Sequence, residues 1–302
     1  MFFSLSIVIK KLRAVWELMR LEHGVMLFLG ILIGSVIALE GKALPDWDKF
    51  ILTFFTALFL EASTFALNDY FDLDIDKSNN RTDRPLVRGD LSAITAVYLF
   101  LVFFPLGIIC SYFVNFTCFI IALITAVFAI LYDSHMKKVK FLGNFYIAYV
   151  MAIPFVFGGA AVADNGSFVL TVHPAIYIVA VIAFLAGSGR EIMKDVQDFE
   201  GDMLKGVRSF PKYIGKRSSN IVAGFFYVVA VVFSFIPFLF EQYEIYFMNY
   251  VYLGVVLVTD LLLFYIAFNL IFIKEPDMKL FRKISLFAIF IGLIAFLIGA
   301  IF

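Results

Sequence analysis

The sequence predicts an all-α membrane protein with nine transmembrane helices in one bundle, a cytoplasmic N-terminus and an active site opening near the cytoplasmic face. Three observations predict it. Of the 302 residues, 63% are hydrophobic and only 16% are charged, a balance outside that of ordinary soluble domains. Apolar stretches of the length that crosses a hydrocarbon core, about 20 residues as a helix, recur from end to end. The basic residues collect in alternate connections between those stretches, as the excess of Lys and Arg in cytoplasmic loops requires.

The elements follow in order. Residues 3–20 read as an amphipathic helix lying on the membrane surface, with Ile9, Leu12, Trp16 and Met19 on its apolar side. Its apolar start precedes Lys10, Lys11 and Arg13, the reverse of the order in a secretory signal peptide. The spans then fall at roughly 24–40, 50–72, 93–113, 115–133, 142–163, 173–194, 219–240, 249–273 and 283–302. The third and fourth are joined so closely that they form a hairpin around Asn115. Residues 1–302 make a single transmembrane domain, with 1–23 as its interfacial N-terminal helix.

The direction follows from the basic residues. One side carries Lys10, Lys11, Arg13 and Arg20, then Lys77, Arg81, Arg84 and Arg88, then Lys137, Lys138 and Lys140. It also carries Arg190, Lys194, Lys205, Arg208, Lys212, Lys216 and Arg217, and finally Lys274, Lys279, Arg282 and Lys283. Only Lys42 and Lys49 stand apart. That side is cytoplasmic, and the chain is a multi-pass protein of the cell membrane. Net charge is zero, so no global basic field points to nucleic acid, and nothing points to an obligatory protein partner. Cys110 and Cys118 read as buried free thiols, without a disulfide framework.

Two acidic clusters interrupt this apolar chain. Asn68-Asp69-Tyr70-Phe71-Asp72-Leu73-Asp74-Ile75-Asp76 follows the second span, and Asp195-Val196-Gln197-Asp198-Phe199-Glu200-Gly201-Asp202 follows the sixth. Both fall on the cytoplasmic side, each ahead of a basic tail, which hints at an internal duplication four helices apart. At 100° per residue, Asn68, Asp72 and Asp76 lie within about 80° of one another, and Asp195, Asp198 and Asp202 within about 60°. Such stripes repel unless cations neutralise them, and carboxylates at a membrane boundary are costly unless paired, hydrated or metal-bound. Magnesium suits them, because it takes hard oxygen ligands and is shared between a few carboxylates and substrate phosphates. The pattern therefore suggests a divalent-metal site that handles a phosphorylated lipid.

Cations beside such a site can hold the remaining phosphate oxygens. Arg81 and Arg84, in Arg81-Thr82-Asp83-Arg84-Pro85-Leu86, and Lys137-Lys138 are the candidates. Lys140, Lys205, Lys212, Lys216 and Arg217 read as loop charge bias alone. Asp72-x-Asp74-x-Asp76 with Asp83 imitates an EF-hand loop, but Lys77 stands where glycine is required and the last ligand is not Glu. His23, beside Arg20 and Glu22 at the start of the first span, is either a substrate contact or an interfacial anchor. Tyr132 and Asp133 are candidate pocket residues near Lys137. Glu61 and Asp260 are the main ionisable residues within spans, and read as paired inside the bundle.

Asn68-Asp69-x-x-Asp72-x-x-x-Asp76, with Arg81-Thr82-x-Arg84-Pro85-Leu86 close behind, resembles the first signature of the UbiA superfamily of intramembrane prenyltransferases. Asp195-x-x-Asp198-x-x-x-Asp202 resembles the second, and nine helices with these motifs after helices two and six is that family's plan. The resemblance implies transfer of a polyprenyl group from an isoprenyl diphosphate to a lipophilic acceptor, dependent on two Mg²⁺ ions. By the same resemblance, Asn68, Asp72 and Asp76 would hold one ion and Asp198 and Asp202 the other. Asp69 and Asp195 would bind metal or substrate directly or through these ligands. Arg81, Arg84 and Lys137 would neutralise the departing diphosphate. Tyr132 precedes Lys137 at a spacing one residue longer than the family's usual pattern. Arg20, His23 and Lys194 are further substrate-binding candidates.

The run Gly189-Arg190-Glu191-Ile192-Met193-Lys194-Asp195, continued by Asp198-Phe199-Glu200-Gly201-Asp202 and Ser209-Phe210-Pro211, looks most like the archaeal branch that makes digeranylgeranylglyceryl phosphate. There the acceptor is geranylgeranylglyceryl phosphate, in ether-lipid synthesis. Arg20-Leu21-Glu22-His23 departs from the Arg-Pro-x-Asn common in the family, near the acceptor pocket, so an aromatic acceptor of quinone-type biosynthesis stays open. From other classes, a cation-coupled transporter would want its acids mid-span, and a lipid phosphatase or phosphotransferase would use the same metal without making a prenyl bond.

Overall fold

The computed structural model describes residues 2–78, 81–134, 139–163, 173–204 and 206–302. Among the described residues every regular element is helical: α1 (Phe2–Met19), α2 (Gly24–Ala38), α3 (Trp47–Phe71), α4 (Leu73–Ser78), α5 (Pro85–Arg88), α6 (Ala93–Val114), α7 (Phe116–Ser134), α8 (Lys140–Val162), α9 (Pro174–Leu204), α10 (Phe210–Ser234), α11 (Ile236–Leu239), α12 (Tyr250–Phe272) and α13 (Met278–Ile301), with 3₁₀ turns at Leu21–His23 and Glu241–Tyr243. A helix lies at each predicted span. Eight are long and apolar enough to cross a membrane, and α7 carries the shorter apolar run Phe116–Tyr132. The predicted sixth span stops at 194, whereas α9 continues unbroken to Leu204. At about 1.5 Å per residue its 31 residues reach roughly 46 Å, well beyond a hydrocarbon core of about 30 Å.

The chain divides into two compact units, Met1–Phe28 with Trp47–Asp133, and Leu29–Asp46 with Ser134–Phe302. In the first, α3 packs along α6, and α1 docks on α3 and α5. Ala14 and Leu18 of α1 join Ala66, Leu86, Leu91 and Ala96 in a buried cluster. Ile9, Leu12 and Trp16 are exposed, as an interfacial stripe requires, but Met19 is buried. It belongs to the packed side because the end of α1 is where the helix meets its neighbours. The α6–α7 hairpin turns at Asn115, whose Oδ1 accepts the Cys118 N–H at 2.8 Å, an N-cap that satisfies one of the orphan donors of α7. Cys110 and Cys118 are both free thiols.

In the second unit α8, α9, α10, α12 and α13 pack in succession, with α13 also against α9. Tyr246 and Tyr252 are fully buried, and each hydroxyl finds a carbonyl, that of Phe296 at 2.8 Å and that of Ser234 at 2.7 Å. Mid-span Asp260 is buried and accepts the Ser234 hydroxyl at 2.8 Å, in line with its reading as a paired residue. Arg217 donates to the carbonyls of Leu270, Ile271 and Ile273. It caps the C-terminus of α12, where unpaired carbonyls and the helix dipole favour a cation.

The α2 residues of this unit approach α8 backbone to backbone. A Cβ on Gly34 would stand 2.0 Å from the Phe155 carbonyl oxygen, and one on Gly158 would stand 2.1 Å from that of Ile31. Ser35 Oγ donates to the Gly158 carbonyl at 3.0 Å. Small residues at such crossings replace the hydrophobic drive that lipid does not supply. Gly158→Ala is therefore expected to lower the thermal midpoint in detergent by the equivalent of about 1–3 kcal/mol of overpacking. Gly254→Ala, whose added Cβ meets nothing within 4 Å, should leave it unchanged or raise it, since Ala is the better helix former.

Candidate active site

The first acidic cluster begins on α3 and crosses a one-residue break at Asp72 into α4. Helical hydrogen bonds continue through the break, from the Asp72 N–H to the Asn68 carbonyl (3.0 Å) and from the Asp76 N–H to the Asp72 carbonyl (2.8 Å). Asn68, Asp72 and Asp76 therefore keep one helical register. Asn68 and Asp72 are half-buried and Asp76 is buried.

Asp69 is buried differently. Its side chain is 3% exposed and accepts from two guanidinium groups, Arg20 Nη2 at 3.0 Å and Arg84 Nη1 at 3.0 and 3.3 Å. Arg20 ends α1 in the left-handed region (φ 50, ψ 45), a conformation that costs a non-glycine residue energy and persists only where surroundings enforce it. That turn lays its guanidinium over Phe65 at 4.2 Å. Burial and the neighbouring Arg84 charge draw the Arg20 pKa below its usual value. Arg84 precedes Pro85 and the short α5. Its Nε is a buried donor with no hydrogen-bond acceptor among the described residues, 3.8 Å from Asp76 Oδ2. An orphaned N–H of a charged group is costly, and this one stands between Asp76 and Asp83, whose Oδ2 is 4.0 Å away.

Arg81 points elsewhere. It makes a two-pronged pair with Asp83, Nε to Oδ1 at 2.9 Å and Nη2 to Oδ2 at 2.8 Å. Those hydrogen bonds hold the Asp83 carboxyl down to about 2.

The second cluster lies on one unbroken helix. Asp195 is buried, accepting the Asn144 amide at 2.7 Å and the Phe210 backbone N–H, with Lys140 Nζ at 3.4 Å. Asp202, also buried, accepts Lys140 at 2.6 Å, and Asp198 is half-buried within the electrostatic reach of the same ammonium. Lys194 is drawn to Glu191 at 3.0 Å rather than to the stripe. α9 closes in a Schellman motif, with the Val207 N–H on the Asp202 carbonyl (3.0 Å) and the Gly206 N–H on that of Met203 (3.1 Å). Gly206 takes the left-handed position, φ 69, that the motif requires.

The two clusters repeat each other in detail. One sequence offset relates Asp69 to Asp195, Asp72 to Asp198, Asp76 to Asp202, Arg81 to Val207, Arg84 to Phe210 and Pro85 to Pro211. The Arg81 N–H meets the Asp76 carbonyl at 3.0 Å just as the Val207 N–H meets that of Asp202. Arg84 and Phe210 both return to the buried first aspartate, one by side chain and one by backbone.

Lys140 and Asn144 were not singled out from the sequence, and Lys140 there reads as loop charge. Their i, i+4 spacing places both on one face of α8, but nothing local says that the face meets α9. Tyr132 lies half-buried in the last turn of α7. Lys137, with His135 and Lys138, lies outside the described residues, as does the side chain of Asp133. His23 Nδ1 stands 3.5 Å from Glu61 Oε1, giving that mid-span carboxylate its partner. Among the described residues, no three His, Cys, Asp or Glu side chains converge as a closed metal cage. Magnesium does not need one: one or two carboxylates, waters and substrate phosphates commonly complete its shell, and the carboxylate stripes offer such donors.

The profile of the UbiA prenyltransferase family matches residues 27–294. A digeranylgeranylglyceryl phosphate synthase of Archaeoglobus fulgidus is 43% identical over 290 residues, 96% of either chain. A solved structure of digeranylgeranylglyceryl phosphate synthase superposes with a TM-score of 0.76 at 34% identity, covering 96% of this chain and 99% of that one. A UbiA homolog of Archaeoglobus fulgidus bound to DMAPP and Mg²⁺ shares the fold at a TM-score of 0.60 and 18% identity, covering 93% of this chain and 98% of that one.

Removing one partner of a buried ion pair costs about 3–5 kcal/mol, because the other charge stays buried. Asp69→Asn should therefore lower the thermal midpoint sharply, whereas Asp83→Asn, at an exposed pair, should move it by less than about 1 kcal/mol equivalent. Differential scanning fluorimetry in detergent separates the two.

Proposed function

The chain belongs to the UbiA prenyltransferase family, and from that premise we propose that it transfers a geranylgeranyl group from its diphosphate to the free hydroxyl of geranylgeranylglyceryl phosphate. The observation that carries this reading is the 43% identity, along 96% of the chain, to a digeranylgeranylglyceryl phosphate synthase. The protein is an integral, multi-pass membrane enzyme. In our reading nine helices span the cell membrane, α7 included, with the N-terminus and the mouth of the site on the cytoplasmic side, where the basic connections lie.

Asn68, Asp72 and Asp76 would hold one Mg²⁺ and Asp198 and Asp202 a second. A solved fold neighbour bound to DMAPP and Mg²⁺ supports the choice of metal. When bound, magnesium supplies Lewis-acid stabilisation of the diphosphate as it leaves. The chain's own residues do the rest. Asp69 fixes Arg20 and Arg84, so that Arg84 Nε can donate to a diphosphate oxygen without reorganising. Preorganised donors of this kind usually supply the largest part of such a barrier reduction. Lys140 tempers the second stripe, keeping Asp195 as a positioning group and leaving Asp198 the more open oxygen donor. Arg81 and Lys137 add positive charge for the leaving group, and Tyr132 lines the pocket. The C1–O bond of the donor breaks with its electron pair going to diphosphate, and the acceptor oxygen takes C1. Apolar helix faces shelter the allylic cation from water.

Purified protein is incubated with Mg²⁺, labelled geranylgeranyl diphosphate and either geranylgeranylglyceryl phosphate or an aromatic acid. A doubly prenylated glycerol phosphate is expected, lost with EDTA and with Asp72→Ala. A prenylated ring instead would move the chain to the aromatic-acceptor branch. Inorganic phosphate without a new prenyl bond, or cation uptake in vesicles, would overturn the transferase reading.

A further inference from the structure

Glu61 is a mid-span ionisable residue on α3, which costs energy unless the residue is paired or put to use. Its carboxylate is 19% exposed and stands 3.5 Å from Nδ1 of His23. The His23 ring is set by Phe65, edge to face at 5.1 Å and 90°, while Arg20 covers the same phenyl ring. The strained turn at Arg20, closed by the His23 N–H on the Arg20 carbonyl at 3.0 Å, therefore delivers two side chains to one stripe of α3. Glu61, Phe65, Asn68 and Asp72 follow each other there at three- and four-residue steps, the spacing of one helical face. Among the described residues, the charged groups beside His23 are Arg20 and Glu22 on its own segment and Glu61 on α3. The other α3 side chains near this turn, Phe54 and Leu58 beside Gly24, are apolar.

We propose that His23, oriented by Glu61, is the general base that takes the proton from the acceptor's hydroxyl. The inference rests on the reading of the chain as a transferase to a hydroxyl acceptor. A carboxylate at Nδ1 holds the hydrogen there and turns Nε2 into the free lone pair. Half of the His23 side chain is exposed. The 3.5 Å separation is long for a hydrogen bond, as such contacts commonly are before substrate closes them. Position along α3 also fits. By helical rise Glu61 lies roughly 10 Å before Asn68, on the side from which the apolar part of the donor must extend once its diphosphate is at the aspartates. That interval is where the proposal puts C1 and the attacking oxygen.

The step balances. The acceptor O–H proton passes to Nε2, the acceptor oxygen bonds to C1, and the C1–O bond to diphosphate breaks with its electron pair leaving on diphosphate. The resulting imidazolium is stabilised by Glu61 and returns its proton to water.

Single-turnover transfer from geranylgeranyl diphosphate to geranylgeranylglyceryl phosphate is measured across pH for wild type, His23→Gln, His23→Ala and Glu61→Gln. Mg²⁺-dependent binding of the donor and thermal midpoints are followed alongside. His23→Gln should slow transfer by about 10²–10⁴-fold, the usual worth of a general base, with donor binding unchanged. Wild-type transfer should show an acid limb that vanishes in His23→Gln. Added imidazole should restore transfer in His23→Ala, and Glu61→Gln should lose less than either. Near-wild-type transfer by His23→Gln, an unchanged acid limb, or a loss that imidazole does not rescue and that tracks donor binding would overturn the proposal. Absence of the doubly prenylated product from wild type itself would instead overturn the parent reading, and the base with it.

Discussion

A carboxylate in a buried site has to be neutralised by its neighbours, and the first unit is organised around that demand at Asp69. Water reaches almost none of this side chain, so its charge is tolerable only because Arg20 and Arg84 both donate to it. The two arginines come from segments far apart in sequence, the end of α1 and the residue before α5. One ion cluster therefore ties the N-terminal helix and the connection after the acidic motif to the same turn of α3. It also explains the backbone at Arg20, which enters the left-handed region so that its guanidinium can reach the carboxylate and lie over Phe65. Arg84 Nε, a buried donor without an acceptor among the described residues, is the group suited to a phosphate oxygen.

The second unit solves the same problem with other groups. Asp195 is held by an amide, an ammonium and a backbone N–H instead of two guanidinium groups. The first aspartate of each motif is spent on holding the connection in place, which leaves the later two nearer to solvent or to a single cation. Shared offsets in sequence and matching backbone hydrogen bonds after the last aspartate make the two motifs versions of one supersecondary design. This strengthens the duplication that the sequence only hints at. The clamp differs between the two motifs, while the three aspartates recur at the same offset.

Much of the fold and part of the site are legible in the residues. Helix positions are legible because bilayer thickness imposes a length and an apolar composition that few other constraints produce. The acidic stripes are legible because three- and four-residue spacing survives any packing of the helix that bears it. Lys140 is not, because a lysine at the start of a span looks like every other cytoplasmic lysine until α8 is seen to bring it onto Asp195 and Asp202. Arg217 is hidden in the same way, since the carbonyls that it caps belong to α12. The double guanidinium clamp on Asp69 is not legible either, because its partners Arg20 and Arg84 come from other segments.

By itself the sequence determined that this chain is a helical membrane protein, where its helices lie, and which carboxylates share one helical face. Those properties are local: hydropathy, helical period and loop charge depend on residues within a few turns of one another. Tertiary structure alone decided which aspartates are buried against cations, which basic residues reach them, and which partner a mid-span glutamate has. Those outcomes turn on burial and on contacts between segments distant in sequence, where a difference of an ångström separates an ion pair from an orphaned donor.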